Sequence, residues 1–272
     1  MPAPCKAALC FALALSGAAQ SQAFEKITVK AAHSDLGSWH VEVLHNGNLI
    51  AQNVTPIVLL TYGYDVPSNP SPRLHSVPGW AYADRFDIEA KAPANVSPAI
   101  SPGNEAQNRA KQRVRQLLAD RFKLVMHVEQ KHMPVYALTV SGGGAKLQRS
   151  AAAAKDCVFN NAPNGCHSFV IGFGHPLNGN AVSMEDLVHY IENWTDLPVV
   201  DRTGLSGLYN VHTEGWQPMR LPPPPPNGDE HVDFSSLPTI STVLGKLGLE
   251  LHREEAVLPV YTVERMERPD LN

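Results

Sequence analysis

Twelve histidines and four cysteines are the residues of this 272-residue chain whose chemistry could be called on first. Metal centres gather their ligands at short, regular spacings, and no HExxH, HxH or CxxC occurs. His127 and His132 stand five apart on what reads as a strand and turn. On a strand His127 shares a face with Glu129, while a residue five further on points to the other. His127 and His252 therefore read as structural strand histidines. Nucleophilic catalysis has no signature either. GxSxG is absent, and Ser141-Gly142-Gly143-Gly144 runs on through Lys146 and Leu147 into a loop, without the strand–turn–helix setting of a nucleophile elbow. The glycines match neither GxGxxG nor GxxxxGK[ST], so no phosphate cradle is expected. Asp201-Arg202-Thr203-Gly204 reads as a turn in which Asp and Thr bond their own backbone and Gly204 takes positive φ. No catalytic, cofactor-binding or metal-ligating residue is assigned.

The cysteines divide by position. Cys5 and Cys10 fall in a stretch that reads as an export signal, residues 1–23. Lys6 is its only charge, Ala7 to Leu15 is its apolar core, and Ser21-Gln22-Ala23 offers small residues for cleavage after Ala23. That core is shorter than the ~20 apolar residues a bilayer span needs, and no later run supplies one. Export would place the mature chain, starting at Phe24, in the periplasm or outside the cell. There the remaining pair, Cys157 and Cys166, is expected to form a disulfide around a turn-rich loop. A metal reading of the pair would need two further ligands, and only His167 offers itself.

Acids outnumber bases 26 to 22, and the formal net charge is −4, which argues against a nucleic-acid partner. A hydrophobic content of 43% excludes a wholly disordered chain, and 19 glycines are too few for a collagen repeat.

The elements that would carry any site appear twice. Leu118 to His127 aligns with Val243 to His252 at a shift of 125, and the match runs on without a gap through Pro134-Val135-Tyr136 and Pro259-Val260-Tyr261. Upstream, Arg85-Phe-Asp-Ile88 matches Leu208-Tyr-Asn-Val211, and Asn46-Gly-Asn48 matches Asn178-Gly-Asn180. The expected fold is α+β, as two tandem similar units of antiparallel strands with two helices each. The first unit covers residues 24–150, with extra strands at 25–31 and 39–44. A linker loop follows at 151–177, and the second unit covers 178–272. Thr55-Pro56 and the box Ser183-Met-Glu-Asp186 start the first helices. The second helices are expected at 105–120 and 239–247. Strand pairs join 74–77 to 85–91 and 198–201 to 208–213. A closing hairpin ends each unit, 123–129 with 135–140 and 249–253 with 260–265. Proline-rich loops, 92–104 and 216–229, interrupt both units at the same place.

Several phrases together resemble one family. They are Gly79-Trp80 with Asp84-Arg-Phe-Asp-Ile88, Leu117-Leu-Ala-Asp-Arg-Phe-Lys-Leu124 with His127, Val199-Val-Asp-Arg-Thr-Gly-Leu-Ser-Gly-Leu-Tyr209, and the ending Val263-Glu264…Pro269…Asn272. They are similar to the soil-associated protein family, an exported, duplicated domain of unknown function expanded in soil bacteria. Gly245 and Gly248 depart from its more regular second helix. The resemblance brings no established activity. Some relatives join this domain to a membrane metallopeptidase of the β-lactam-sensor type, which implies envelope sensing or binding. The alternation of elements also resembles the small signalling domains of secretins and TonB-dependent receptors.

Two functions follow as expectations. One is a non-catalytic exported module that binds an envelope protein or a small ligand, at the junction of the units or along a strand edge. The other is an exported hydrolase whose residues converge only in the fold. A pocket of perturbed carboxylates or histidines would speak for the second.

Overall fold

A computed structural model describes residues 23–32, 39–44, 46–67, 71–93, 105–152, 166–170, 174–220 and 233–272. Among them lie five helices and twelve strands in an α+β arrangement. The leader up to Gln22 and Cys157 lie outside the described residues, as does most of both proline-rich loops.

The first sheet orders its strands β1 (Lys26–Ala31), β5 (Phe86–Lys91), β3 (Leu49–Val54), β2 (His40–Val43), all antiparallel. β5 alternates as its sequence dictates, with Phe86, Ile88 and Ala90 buried and Asp87, Glu89 and Lys91 exposed. Onto its apolar side pack α1 (Pro56–Tyr64) and α3 (Glu105–Phe122). Val114, Leu117, Leu118 and Phe122 recur at helical spacing on α3 and are wholly buried. Phe122 meets Phe86 edge-on, ring centroids 5.7 Å apart. The third sheet has the order β7 (Gln148–Arg149), β11 (Tyr209–Val211), β9 (Gly179–Val182), β8 (Ser168–Phe169). α4 (Met184–Glu192) and α5 (Ile240–Lys246) share its core, where Leu187, Ile191 and Leu244 are sealed from solvent. Trp216, read from sequence as the start of a loop, is fully buried in that core.

The helix starts follow the sequence. Ser183 Oγ accepts from the Asp186 backbone N–H while the Asp186 carboxylate accepts from that of Ser183, a complete capping box. Thr239 caps α5 through its side chain. Thr55 occupies the cap position of α1, but its side chain makes no capping bond.

The closing hairpins do not form. β6 (Val125–Val140) and β12 (Leu249–Arg265) each run unbroken and pair antiparallel with each other along their whole length. Of the residues between the expected arms, Gln130 to Pro134, only Pro134 is a turn former, and the prolines that suggested a break cost the ladder nothing. Tyr136 N–H donates outward to Pro198 O (2.7 Å), and Tyr261 N–H donates outward to Arg73 O (2.8 Å). Pro134 and Pro259 stand two residues earlier, so their missing N–H groups face the same outer side, away from the partner strand. The expected strand pairs also fail. β4 (Leu74–His75) lies parallel on β12, and β10 (Val199–Asp201) parallel on β6, giving the central order β10-β6-β12-β4. Neither edge of β5 or β11 was free to take them, since β1 and β3 flank the first, and β7 and β9 the second.

The chain's final residue closes the first sheet. Asn272 N–H donates to Val29 O (2.9 Å), and its Oδ1 accepts from Val29 N–H (3.0 Å) and from Arg121 Nη2 (3.0 Å). The Asp201 turn is as read: Oδ1 accepts from Thr203 N–H (2.8 Å) and Thr203 Oγ1 (2.7 Å), with Gly204 at φ +66°.

Gly248 has a structural cause. It sits at φ +70° between α5 and β12, and a Cβ there would run into the Gly144 carbonyl, whereas one on Gly245 would meet nothing within 4 Å. Gly248→Ala should therefore lower the unfolding free energy in urea by about 2 kcal/mol or more. Gly245→Ala should raise it by about 0.5–1 kcal/mol.

Candidate ligand cavity

Asp65, Asp186, His167 and His189 come together between α1 and α4. α1 ends at Asp65, a left-handed residue (φ 57°) whose N–H donates to Thr61 O. That bend turns the Asp65 carboxylate toward α3 and α4, where Lys111 Nζ donates to it at 2.9 Å and His189 Nδ1 lies 3.6 Å away. Lost hydration pushes the Asp65 carboxyl up, but His189, Lys111 and Arg73 outweigh it and hold its pKa below the usual value. The His189 imidazole is held below its ordinary value by lost hydration, with Asp65 pulling the other way.

Under this group, Arg73 Nε and Nη2 both donate to Glu192 Oε1 (3.1 and 2.8 Å), with both side chains buried. Burial keeps the Glu192 carboxyl above its usual value despite that cation.

A second pair stands at the start of α4. His167 Nδ1 donates to Asp186 Oδ2 at 2.6 Å, and the same oxygen accepts from Ser183 N–H and Oγ, both at 2.7 Å. The hydrogen bond to Asp186 raises the His167 pKa; His167 and Ser183 together hold that of Asp186 down against burial. The His167 side chain is 7% exposed, and its Nε2 is buried with no partner among the described residues. Tyr62 Oη, on α1, is likewise buried with none among them. Burial pushes its phenol pKa far above the ordinary range, so it stays protonated.

These residues border a cavity of about 430 Å³ walled by α1, α4 and the edge strands β2 and β8. Val41, Val43 and Val58 form one side, and Phe169 stacked on Tyr190 (4.3 Å between centroids) forms the other. Trp39, 57% exposed, stands at the mouth. The size falls within the ~300–1,000 Å³ of small-molecule sites, and the mix of apolar wall and few polar groups is typical of them.

The residues singled out from sequence lie elsewhere. His127 pairs with Glu264 (3.9 Å) and His252 with Glu250 (3.1 Å), on the exposed central ribbon. Among the described residues no three metal-type ligands gather. Cys166 sits half-buried against Ala181 and Leu208, and its expected partner lies outside the described residues. Asp65, His167 and His189 were not singled out as a site, because no spacing links them: 124 positions separate Asp65 from His189. Asp186 alone carried a local signal, the capping box.

Fold and site together define an α+β protein with a ligand-sized cavity among its described residues. The chain belongs to the family described as "Protein of unknown function (DUF3738)", whose model matches residues 58–266. No curated protein matches it, and no solved structure does.

The His167–Asp186 pair makes stability depend on pH. His167's contribution is complete below about pH 6.5, the unfolded imidazole value, and fades as pH rises through its raised folded pKa. Asp186's contribution is complete above about pH 3.9 and fades as pH falls through its lowered one. Asp186→Asn keeps a capping side chain but loses the charge. Urea unfolding at pH 6 should show a loss of about 1–3 kcal/mol, and the decline of stability above pH 6.5 should flatten.

Proposed function

We propose that this protein is a non-catalytic binding module of the cell envelope or extracellular space, and that the cavity between α1 and α4 is its ligand site. The observation that carries the reading is the cavity itself, ligand-sized and largely apolar. The threonine hydroxyl that lines it is already engaged, Thr61 Oγ1 donating to Val58 O (3.1 Å), and Ser183 Oγ donates to Asp186 and not to a histidine. One observation favours the alternative, an exported hydrolase. Asp65 and a neutral-leaning His189 meet at the cavity as an orienting carboxylate and a general base for water would.

Titration with 1-anilinonaphthalene-8-sulfonate tests both readings. Saturable one-to-one fluorescence that Val58→Trp abolishes is the expected result for a ligand cavity. Absence of binding would remove it. Turnover of 4-nitrophenyl butyrate that His189→Ala eliminates would move the protein to the hydrolase class.

We further propose export, cleavage after Ala23 and a Cys157–Cys166 disulfide, on the strength of the leader pattern and the two remaining thiols. Protein from a periplasmic extract should begin at Phe24 and weigh two hydrogens less than its reduced form. A start elsewhere or two free thiols would refute this.

The likeness to the soil-associated family, and descent from a duplicated unit of about 100 residues, are part of the same proposal. The sheet orders β1-β5-β3-β2 and β7-β11-β9-β8 support the second part. So does the burial of Phe86 opposite Val54 and of Tyr209 opposite Val182. Superposing residues 46–140 on 178–265 with these aromatics on opposite faces would count against it.

A further inference from the structure

The two long strands of the central sheet each leave a stretch of edge open, and only one of these edges suits a second copy of itself. β10 takes the outer edge of β6 from Tyr136 onward, and β4 takes that of β12 from Tyr261. Short of those residues no described strand flanks either one. On β6 the open stretch runs from Met126 to Pro134. Tyr136 N–H donates outward to Pro198 O, and Leu138 O accepts from Arg202 N–H on the same side. The ladder with β12 keeps its register back to Met126, so Met126, Val128, Gln130 and His132 also turn their main-chain groups outward. Val128, Gln130, Lys131 and His132 are exposed. An edge of this length is a template for another strand.

We propose that β6 pairs antiparallel with β6 of a second copy, about a two-fold axis at Gln130. Two features independently select that register. A two-fold pairing that uses the whole open stretch is centred on its midpoint, and the midpoint of Met126–Pro134 is Gln130. The charges agree. Glu129 then lies opposite Lys131 of the second copy, and Lys131 opposite its Glu129, at the closely spaced positions of the ladder. Within each chain Lys131 already pairs with Glu129 (2.5 Å), so the four charges close into an alternating ring. Moving the axis by one residue sets Glu129 against Glu129, or Lys131 against Lys131. Val128, 48% exposed, is covered by His132 of the other copy. β12 differs. Its open stretch, Leu251 to Pro259, is centred on Glu255, and an axis at Arg253, Glu254 or Glu255 opposes like charges.

Sedimentation equilibrium of the protein tests this through the charges alone. The wild-type chain should dimerise with a Kd on the order of 10–100 µM, as suits so small an interface. Glu129→Lys leaves lysine at both 129 and 131, and Lys131→Glu leaves glutamate at both. Each variant alone should dimerise at least about tenfold more weakly. Mixed in equal amounts, the two should form a heterodimer about as tight as the wild type, because every cross pair is again opposite in sign. Both side chains are exposed, so urea unfolding of each variant should match the wild type. Hydrogen exchange should slow at Val128, Gln130 and His132 as concentration rises, and not at His127, Glu129 and Lys131, whose amides already face β12. A wild-type chain still monomeric at about 500 µM would overturn the proposal. So would variants that dimerise like the wild type, or a mixture no tighter than its components.

Discussion

The buried pair of Arg73 and Glu192 is where the molecule's two cores are joined. Arg73 donates through Nε and Nη2 to one Glu192 oxygen and through Nη2 to the carbonyl of Asp65 (3.2 Å), while its own carbonyl accepts from Tyr261. One residue thus fixes the end of α1, the last turn of α4 and the seating of β4 on β12. Two charges are withdrawn from water to do this, and such pairs contribute little net stability against an apolar alternative. Their worth lies in geometry. An uncompensated partner typically costs about 3–5 kcal/mol, so α1 and α4 have one permitted relation, and the cavity between them is its by-product.

Around that anchor the charges are arranged in closed pairs. Asp65 with Lys111, Asp186 with His167, and Glu192 with Arg73 each satisfy one another across elements far apart in sequence. The polar side of the cavity is therefore preset before any ligand enters, and pre-set polar groups bind at less entropic cost than groups that must be ordered. The same pairing lets carboxylates and histidines crowd together along one wall.

How much of this was legible in the chain depended on whether the signal was local. Ser183-Met-Glu-Asp186 announced its capping box, Phe86-Asp-Ile-Glu-Ala90 its alternation, and Asp201-Arg-Thr-Gly204 its turn, because each is settled within a few residues. β4 and β10 are two and three residues long and carry no period, so their partners on the far ends of the chain could not be read. Pro134 and Pro259 looked like breaks because a sequence shows that an N–H is missing but not which way it would have pointed. α1 and α4, far apart in the chain, enclose the cavity. Its chemistry stayed hidden, since His167 and Asp186 meet from strand and helix, and Asp65 and His189 from opposite halves.

The interleaving of β4 with β12 and β10 with β6 also sets an order of events for the growing chain. Leu74 waits for Tyr261, and Val125 for Arg265, before either has a neighbour. Asn272 is needed to close the edge of β1. A ribosome that has released the chain only as far as β6 has released no finished central sheet, only a sixteen-residue strand with its inner edge open. Long-range pairing of this kind slows folding and leaves such edges sticky in the interim. The central sheet is therefore complete only once β12 has paired with β6 along its length.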